Sequence, residues 1–140
     1  MRRACLFLLL LCIAGGMPGF EGSAAFQNRQ ETGTDPDAWE ARWNNLQPPD
    51  AVLDTIGVDP GMAVGEIGAG RGRYAVHVAK RVGPDGLVYA NDIDREKLDY
   101  LRHRCERDSI GNIKTILGMV TLPHFPAAAL DLIYIINIRC

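Results

Sequence analysis

Three glycines and two acidic residues have the spacing of a nucleoside-binding loop. Gly68, Gly70 and Gly72 alternate in a short segment, and glycine lets the backbone take conformations closed to other residues and approach a ligand closely. Glu66 lies two residues before this loop, where a carboxylate suits a cationic group better than a pyrophosphate. Asp92 follows 24 positions after Gly68, a distance at which an acid can accept hydrogen bonds from both hydroxyls of a ribose. The pattern predicts a site for a nucleoside with a positively charged tail.

The spacing argues against two common nucleotide sites. The dinucleotide fingerprint is GxGxxG, whereas here the pattern is GxGxG and Arg73 follows Gly72 directly. No Gly-Lys-Ser or Gly-Lys-Thr sequence is present, so a P-loop is excluded. Simpler interpretations stay open at this point. The loop could be a tight turn without a ligand, Glu66 could form an ion pair with Arg71 or Arg73, and the acid that ends the second strand, Asp92, could be a helix N-cap.

Strands and helices alternate around these residues. The apolar runs predict strands at 62–67, at 87–90 with its end in Asn91-Asp92, at 113–117 and at 131–138. The predicted helices are 37–46, 51–56 capped by Asp50 and ended by Gly57, 73–82, and about fourteen residues opened by Asp94. This alternation predicts a parallel α/β sheet with right-handed crossovers.

The helix patterns predict which side chains are buried. On the first helix Trp39, Trp43 and Leu46 share one apolar face. On the last helix the predicted buried side carries Leu98, Leu101 and Cys105, and the predicted solvated face carries Arg102, Arg104 and Arg107. Tyr74 and His77 follow the loop, and packing is the simpler role for both.

Residues 61–137 resemble the core of the class I S-adenosylmethionine (SAM)-dependent methyltransferases. Residues 66–72 (EIGAGRG) look like motif I of that family, and residues 88–94, 112–118 and 131–137 resemble its second-, third- and fourth-strand motifs in order. The nearest similarity is to the small-molecule and protein-L-isoaspartate branch. The resemblance implies a Rossmann-like three-layer sandwich with strand order 3-2-1-4-5-7-6, of which this chain holds the part up to the fourth strand.

The resemblance also implies a cofactor, SAM, and the residues that bind it. Glu66 would bind the amino group through water, and Asp92 and Ile93 would contact the ribose and its surroundings. Met119 would pack against the adenine. The methionine and ribose would be lined by Gly68, Ala69, Gly70 and Gly72. Many relatives have an acid after the third strand, where this chain has Gly118 and Met119. No catalytic residue is assigned. The three histidines lack metal-ligand spacing, so no metal is predicted.

The implied function is methyl transfer from SAM to an unidentified acceptor. A truncated, non-catalytic SAM-binding or interaction remnant is the alternative, because the strands that would follow residue 138 in the family are not in this sequence. The [DN]PP[FY] motif of nucleobase amine methylation is absent. A fourth strand left at the sheet edge would expose an apolar edge, which predicts self-association.

Composition sets the remaining limits. Apolar residues make up 47% and charged residues 23% of the 140 residues, with a formal net charge of −2, which predicts one globular domain without a nucleic-acid-binding surface. Residues 1–25 look like a signal peptide: a basic start, an apolar run at 4–14 and the small residues Ser23-Ala24-Ala25. Export, with no membrane span after cleavage, is expected; an uncleaved membrane anchor is the alternative.

The predicted domain division follows from these limits. Residues 26–49 form a linker and short helix, and residues 50–140 form an incomplete SAM-binding domain. Cleavage would leave Cys105 and Cys140, which lie too far apart in the predicted fold for a disulfide. Two free thiols are therefore predicted.

Overall fold

The computed structural model describes residues 6–7 and 36–136 of the chain. Within them the elements, in chain order, are β1 (Leu6–Phe7), α1 (Pro36–Leu46), α2 (Pro49–Ile56), β2 (Ala63–Ile67), α3 (Ala75–Val82), β3 (Leu87–Asp92), α4 (Arg95–Arg107), β4 (Ile113–Leu117) and β5 (Leu132–Ile135). Apart from β1, the predicted signal peptide lies outside the described residues, as do residues 26–35 and 137–140.

The described strands form one sheet in the order β1-β5-β2-β3-β4, and all neighbours are parallel. The predicted α/β fold is confirmed. The four predicted strands lie in the order third, second, first, fourth, as the resemblance implies. Because parallel strands end at the same edge, the end of β2 and the end of β3 lie side by side, with Glu66 paired to Ala90.

The core lies between the sheet and the helices that cross it. α3 packs against β2, β3 and β4, and α4 packs against β3 and β4. The predicted buried side of α4 is confirmed for Leu98 and Leu101, while Cys105 is half-buried and has a free thiol. The other predicted thiol, Cys140, lies outside the described residues. The fully buried aliphatic side chains that fill this core are Leu53, Val58, Val64, Val78, Val82, Val88 and Leu101.

The starts of α2 and α3 each differ from the prediction by two residues. α3 begins at Ala75 rather than residue 73, because the positive φ of Gly70 and Gly72 holds the preceding backbone in turns. α2 begins at Pro49 and has no side-chain cap, so the predicted Asp50 cap is wrong; proline fits the first turn without one. The predicted end of α2 at Gly57 and the predicted start of α4 at Asp94 are confirmed by their cap geometry.

Arg73 anchors α1 to the domain. Its guanidinium donates to the carbonyls of Trp43 and Gln47, both at 2.9 Å, and to Oδ1 of Asn44 at 2.8 Å. Free carbonyls at a helix C-terminus favour a nearby cation, and Arg73 is 7% exposed. The last turn of α1 is therefore held directly beside the glycine loop.

An ion pair holds the first half of α1. Arg104 of α4 donates to both carboxylate oxygens of Glu40, at 2.8 and 2.9 Å. The prediction that Arg104 belongs to a solvated face is wrong, because α1 covers it and leaves its side chain 16% exposed. Leu46 is 68% exposed, so the predicted apolar face of α1 is wrong at that residue. Polar contacts from Arg73 and Arg104 thus attach α1 to the rest of the domain.

The outer side of β5 is paired with β1. Leu6 pairs with Leu132, and Phe7 pairs with Ile133. In the uncleaved chain β1 therefore covers the edge of β5 at two residues. The exposed edge predicted for the chain without residues 1–25 stays a prediction. Among residues 6–7 and 36–136, no helix has both the length and the apolar character needed to cross a bilayer.

Candidate functional site

The glycine loop (residues 68–72) is bound to the end of β3 by its backbone. The amides of Gly68 and Ala69 both donate to the carbonyl of Asn91, each at 2.8 Å. Asn91 also fixes the segment after β4, because its side-chain amide donates to the carbonyl of Pro123 at 2.8 Å. Asn91 has no role predicted from the sequence; the available signal was a polar residue directly after the apolar run 87–90.

Asp92 joins the loop to the start of α4. Its Oδ2 accepts from the amide of Gly70 at 2.7 Å, and its Oδ1 accepts from the amide of Asp94 at 2.9 Å. The alternative role of Asp92 as a helix N-cap is wrong, because Asp94 caps α4 by accepting from two amides of the first turn. Asp92 is 8% exposed, so little of its surface reaches solvent.

The occupied amides of the loop have a chemical consequence. The amides of Gly68, Ala69 and Gly70 already have acceptors inside the protein. A pyrophosphate needs such amides free to form an anion-binding nest. The loop is therefore a poor anion site, in agreement with the prediction from its sequence.

The glycines at 70 and 72 serve different purposes. Both have positive φ, +57° and +84°. A Cβ at Gly70 would meet nothing within 4 Å, whereas a Cβ at Gly72 would overlap Cδ1 of Leu101 on α4. Gly70 therefore leaves open space beside the loop, and Gly72 is required by packing.

Glu66 is buried beneath the loop. It is 2% exposed, and its Oε2 has no hydrogen-bond partner within the described part of the chain. Neither of the predicted ion pairs forms: Arg73 is bound to α1, and Arg71 lies over the ring of Tyr100. Desolvation raises the pKa of Glu66 to about 8, an effect that Asp92 reinforces. A cation entering the site would find an unpaired acceptor.

Two tyrosines complete this buried polar cluster. Tyr134 of β5 pairs in register with Glu66, and Tyr74 precedes α3. The hydroxyls of both tyrosines are buried and lack a hydrogen-bond partner among the described residues. The packing role predicted for Tyr74 is confirmed by its 3% exposure. His77 is half-buried, and burial lowers its pKa.

An apolar rim follows the two strand ends beside Asp92. Ile93 and Met119, both predicted to contact the cofactor, are 60% and 55% exposed. The neighbouring exposed apolar residues are Leu117, Val120 and Leu122. Met119 exchanges two backbone hydrogen bonds with Leu122, at 2.8 and 3.1 Å, which fixes this segment as a small turn. The rim could cover a flat apolar group.

Other chemistry has little support in the described ranges. No group of three or more His, Cys, Asp or Glu side chains among residues 6–7 and 36–136 is placed to hold a metal ion. A shallow groove of about 580 Å³ is lined by residues of α3 and of the segment 109–112, such as Val76 and Ile110. None of the predicted site residues lines it.

Comparison with known proteins gives a consistent result. A family model described as a methyltransferase domain matches residues 64–139, more than half of the chain. A protein-L-isoaspartate O-methyltransferase of Methanothrix thermoacetophila is 35% identical over 80 residues, which cover 57% of this chain and 38% of that protein. Nocamycin O-methyltransferase of Saccharothrix syringae is 30% identical over 82 residues, covering 59% of this chain and 29% of that protein.

A solved structure supports the same grouping. A SAM-dependent methyltransferase from Aquifex aeolicus matches with a TM-score of 0.62 and 29% identity, over 72% of this chain and 51% of that one. The chain thus spans about a third of the length of the two curated relatives. The resemblance predicted from the motifs is confirmed, and the chain belongs to the methyltransferase domain family.

Proposed function

We propose that the site formed by Glu66, the glycine loop and Asp92 binds SAM, and that the protein transfers a methyl group from it to an acceptor. The observation that carries this proposal is the buried carboxyl of Glu66, whose Oε2 has no partner among the described residues, beneath a loop whose amides are occupied. Such a site is suited to an ammonium group and unsuited to a phosphate.

The residues present fit this cofactor. Glu66 would hold the amino group, and Gly68, Ala69, Gly70 and Gly72 would border the methionine and ribose, with open space at Gly70. Ile93 and Met119 offer exposed apolar surface for the adenine. When bound, SAM would supply a methyl group on a sulfonium, already activated for transfer.

Asp92 can bind a ribose without giving up its present contacts. A carboxylate has about four acceptor positions, and two are used by the amides of Gly70 and Asp94. The other two are available for hydroxyl donors. The same carboxylate would then connect the ligand to the loop and to the first turn of α4.

The work of the chain itself is to bind, orient and exclude water. Methyl transfer from a sulfonium depends mainly on alignment of the reacting atoms and on removal of water. The buried floor formed by Glu66 and Tyr134 and the rigid backbone of the loop suit that role.

Binding of S-adenosylhomocysteine, measured by isothermal titration calorimetry, tests the proposal. Asp92→Asn should weaken binding about 10- to 100-fold, because hydrogen bonds to a charged acceptor are worth about 1.5–3 kcal/mol. Asp85→Asn, in an exposed turn, is the matched control and should bind like the wild type. A folded wild-type chain that binds no S-adenosylhomocysteine would refute the proposal.

We also propose export of the chain through residues 1–25, with cleavage after Ala25. The basic start, the apolar run and the small residues before the cut support this. Cleavage would remove β1 and uncover the edge of β5, which favours the predicted self-association. Mass spectrometry of the chain recovered outside the cytoplasm should give the mass of a chain that begins at Phe26. A mass that includes residues 1–25 would indicate the membrane-anchored alternative.

A further inference from the structure

The three buried polar groups beneath the loop form one cluster. Glu66 and Tyr134 are register partners on β2 and β5, and side chains of such partners lie on the same face of a sheet, with the strands about 4.8 Å apart. Tyr74 lies at the start of α3. It is close enough that Glu66 raises the pKa of its hydroxyl, and Tyr74 in turn raises the pKa of Tyr134. One carboxylate oxygen and two hydroxyls are left without partners, which is costly in a buried site.

The charged groups around Glu66 leave it without a counter-ion. Asp92, from β3, adds negative charge. Arg73, from the start of α3, is the cation that affects Glu66, but its guanidinium donates to α1. Tyr134 and Tyr74 complete the surroundings as neutral hydroxyls. A carboxyl buried to this degree and lacking a paired cation is stable in its protonated form.

Tyr134 is placed to compensate a change of charge. Burial beside Glu66 raises the pKa of Tyr134 far above its usual value, so the phenol keeps its proton and remains a donor. Its proximity lowers the pKa of Glu66, although no hydrogen bond of normal geometry joins the two. The hydroxyl can therefore stabilise a carboxylate at Glu66 once one forms.

We propose that binding of the cofactor's ammonium group releases one proton from Glu66 to solvent, and that Tyr134 is the positioning residue that holds the resulting carboxylate. This inference rests on the proposed function. The exchange balances: a neutral carboxyl and a bound ammonium become a carboxylate–ammonium pair plus one free proton. Affinity for the cofactor product should rise about tenfold per pH unit between pH 6 and 7.5, below the pKa of about 8 for Glu66.

Calorimetry of S-adenosylhomocysteine binding in phosphate and in Tris buffer, at matched pH, counts the protons released. The wild type should release close to one proton at pH 6.5, and Glu66→Gln should release none. Tyr134→Phe should shift the affinity profile to higher pH, so that its loss of affinity is greater at pH 6.5 than at pH 8.5. Tyr89→Phe is the matched control, because Tyr89 pairs with Gly65 on the opposite face of the sheet, and its profile should equal that of the wild type.

The outcomes separate this inference from the proposed function. Binding of S-adenosylhomocysteine without proton release would overturn the inference and leave the function standing. An equal loss of affinity at every pH in Tyr134→Phe would make Tyr134 a packing residue only and overturn its assigned role. If a folded chain binds no S-adenosylhomocysteine, the function is overturned. An NMR titration of the Glu66 carboxyl ¹³C in the free protein then tests whether Glu66 is protonated before the cofactor binds. A carboxylate at pH 6 would overturn the inference.

Discussion

The burial of Glu66 predicts how the stability of the free protein depends on pH. The pKa of its carboxyl is about 8 in the folded chain, against 4.5 for the unperturbed group. Between these values the folded state holds a proton that the unfolded state has lost. The stabilisation that the proton on Glu66 contributes is therefore fully present below about pH 4.5 and is lost as the pH rises towards 8.

The size of this loss follows from the linkage between proton binding and unfolding. One proton changes the free energy of unfolding by about 1.4 kcal/mol per pH unit. Over the two units from pH 5.5 to 7.5, the titration of Glu66 should therefore lower the free energy of unfolding of the wild type by about 2–3 kcal/mol. Because a domain is stable by only about 5–15 kcal/mol, the effect is large enough to measure.

Urea unfolding followed by circular dichroism at pH 5.5, 6.5 and 7.5 measures this difference. Glu66→Gln removes the titrating group and keeps the shape of the side chain, so the stability of this variant should decline less over this range, by about 2–3 kcal/mol. His77, whose pKa is lowered by burial, titrates equally in both proteins and cancels from the comparison. Parallel pH profiles for the two proteins would refute the account of Glu66 as a buried neutral acid.

Two further predictions concern the framework around the site. Gly72→Ala should lower stability by about 2–4 kcal/mol, because the new side chain clashes with α4 and the residue has a positive φ. Gly70→Ala should cost only about 1–2 kcal/mol, because only the positive φ opposes it. Thermal unfolding of the two variants compares these losses, and equal losses would contradict the different roles of the two glycines. Arg73→Met should lower stability by about 2–4 kcal/mol and speed hydrogen exchange in α1, because the guanidinium donates three bonds to it. Arg71→Met, at an exposed site, should leave α1 exchange unchanged, and unchanged exchange in Arg73→Met as well would show that other contacts hold α1.

The parts of the fold that were predictable are those encoded by residues close together in the chain. The predicted strand 113–117 and the cap of α4 at Asp94 depend on the apolar pattern or on side chains within one turn. The glycine loop, with its neighbouring acids, was recognisable for the same reason. In each case the physical cause lies within a short stretch of sequence.

The missed features depend on partners that are distant in sequence. Arg104 looked like a solvated residue on its own helix, but its partner Glu40 is 64 positions away. Arg73 looked like a partner for Glu66, yet it binds the end of α1, about 30 positions earlier. Long polar side chains can reach many acceptors, so their choice is settled only when the helices pack. The unpaired state of Glu66 is a consequence of that choice.

The different surroundings of the glycines also affect how such domains diverge. Gly72 is needed by the fold itself, since any side chain there meets α4. Gly70 faces open space in a left-handed conformation, which asparagine and aspartate also tolerate. A descendant that no longer bound a ligand would retain the glycine at 72 under selection for folding alone, while position 70 would drift. The residue at position 70 would then distinguish binding from non-binding descendants more reliably than the number of glycines in the loop.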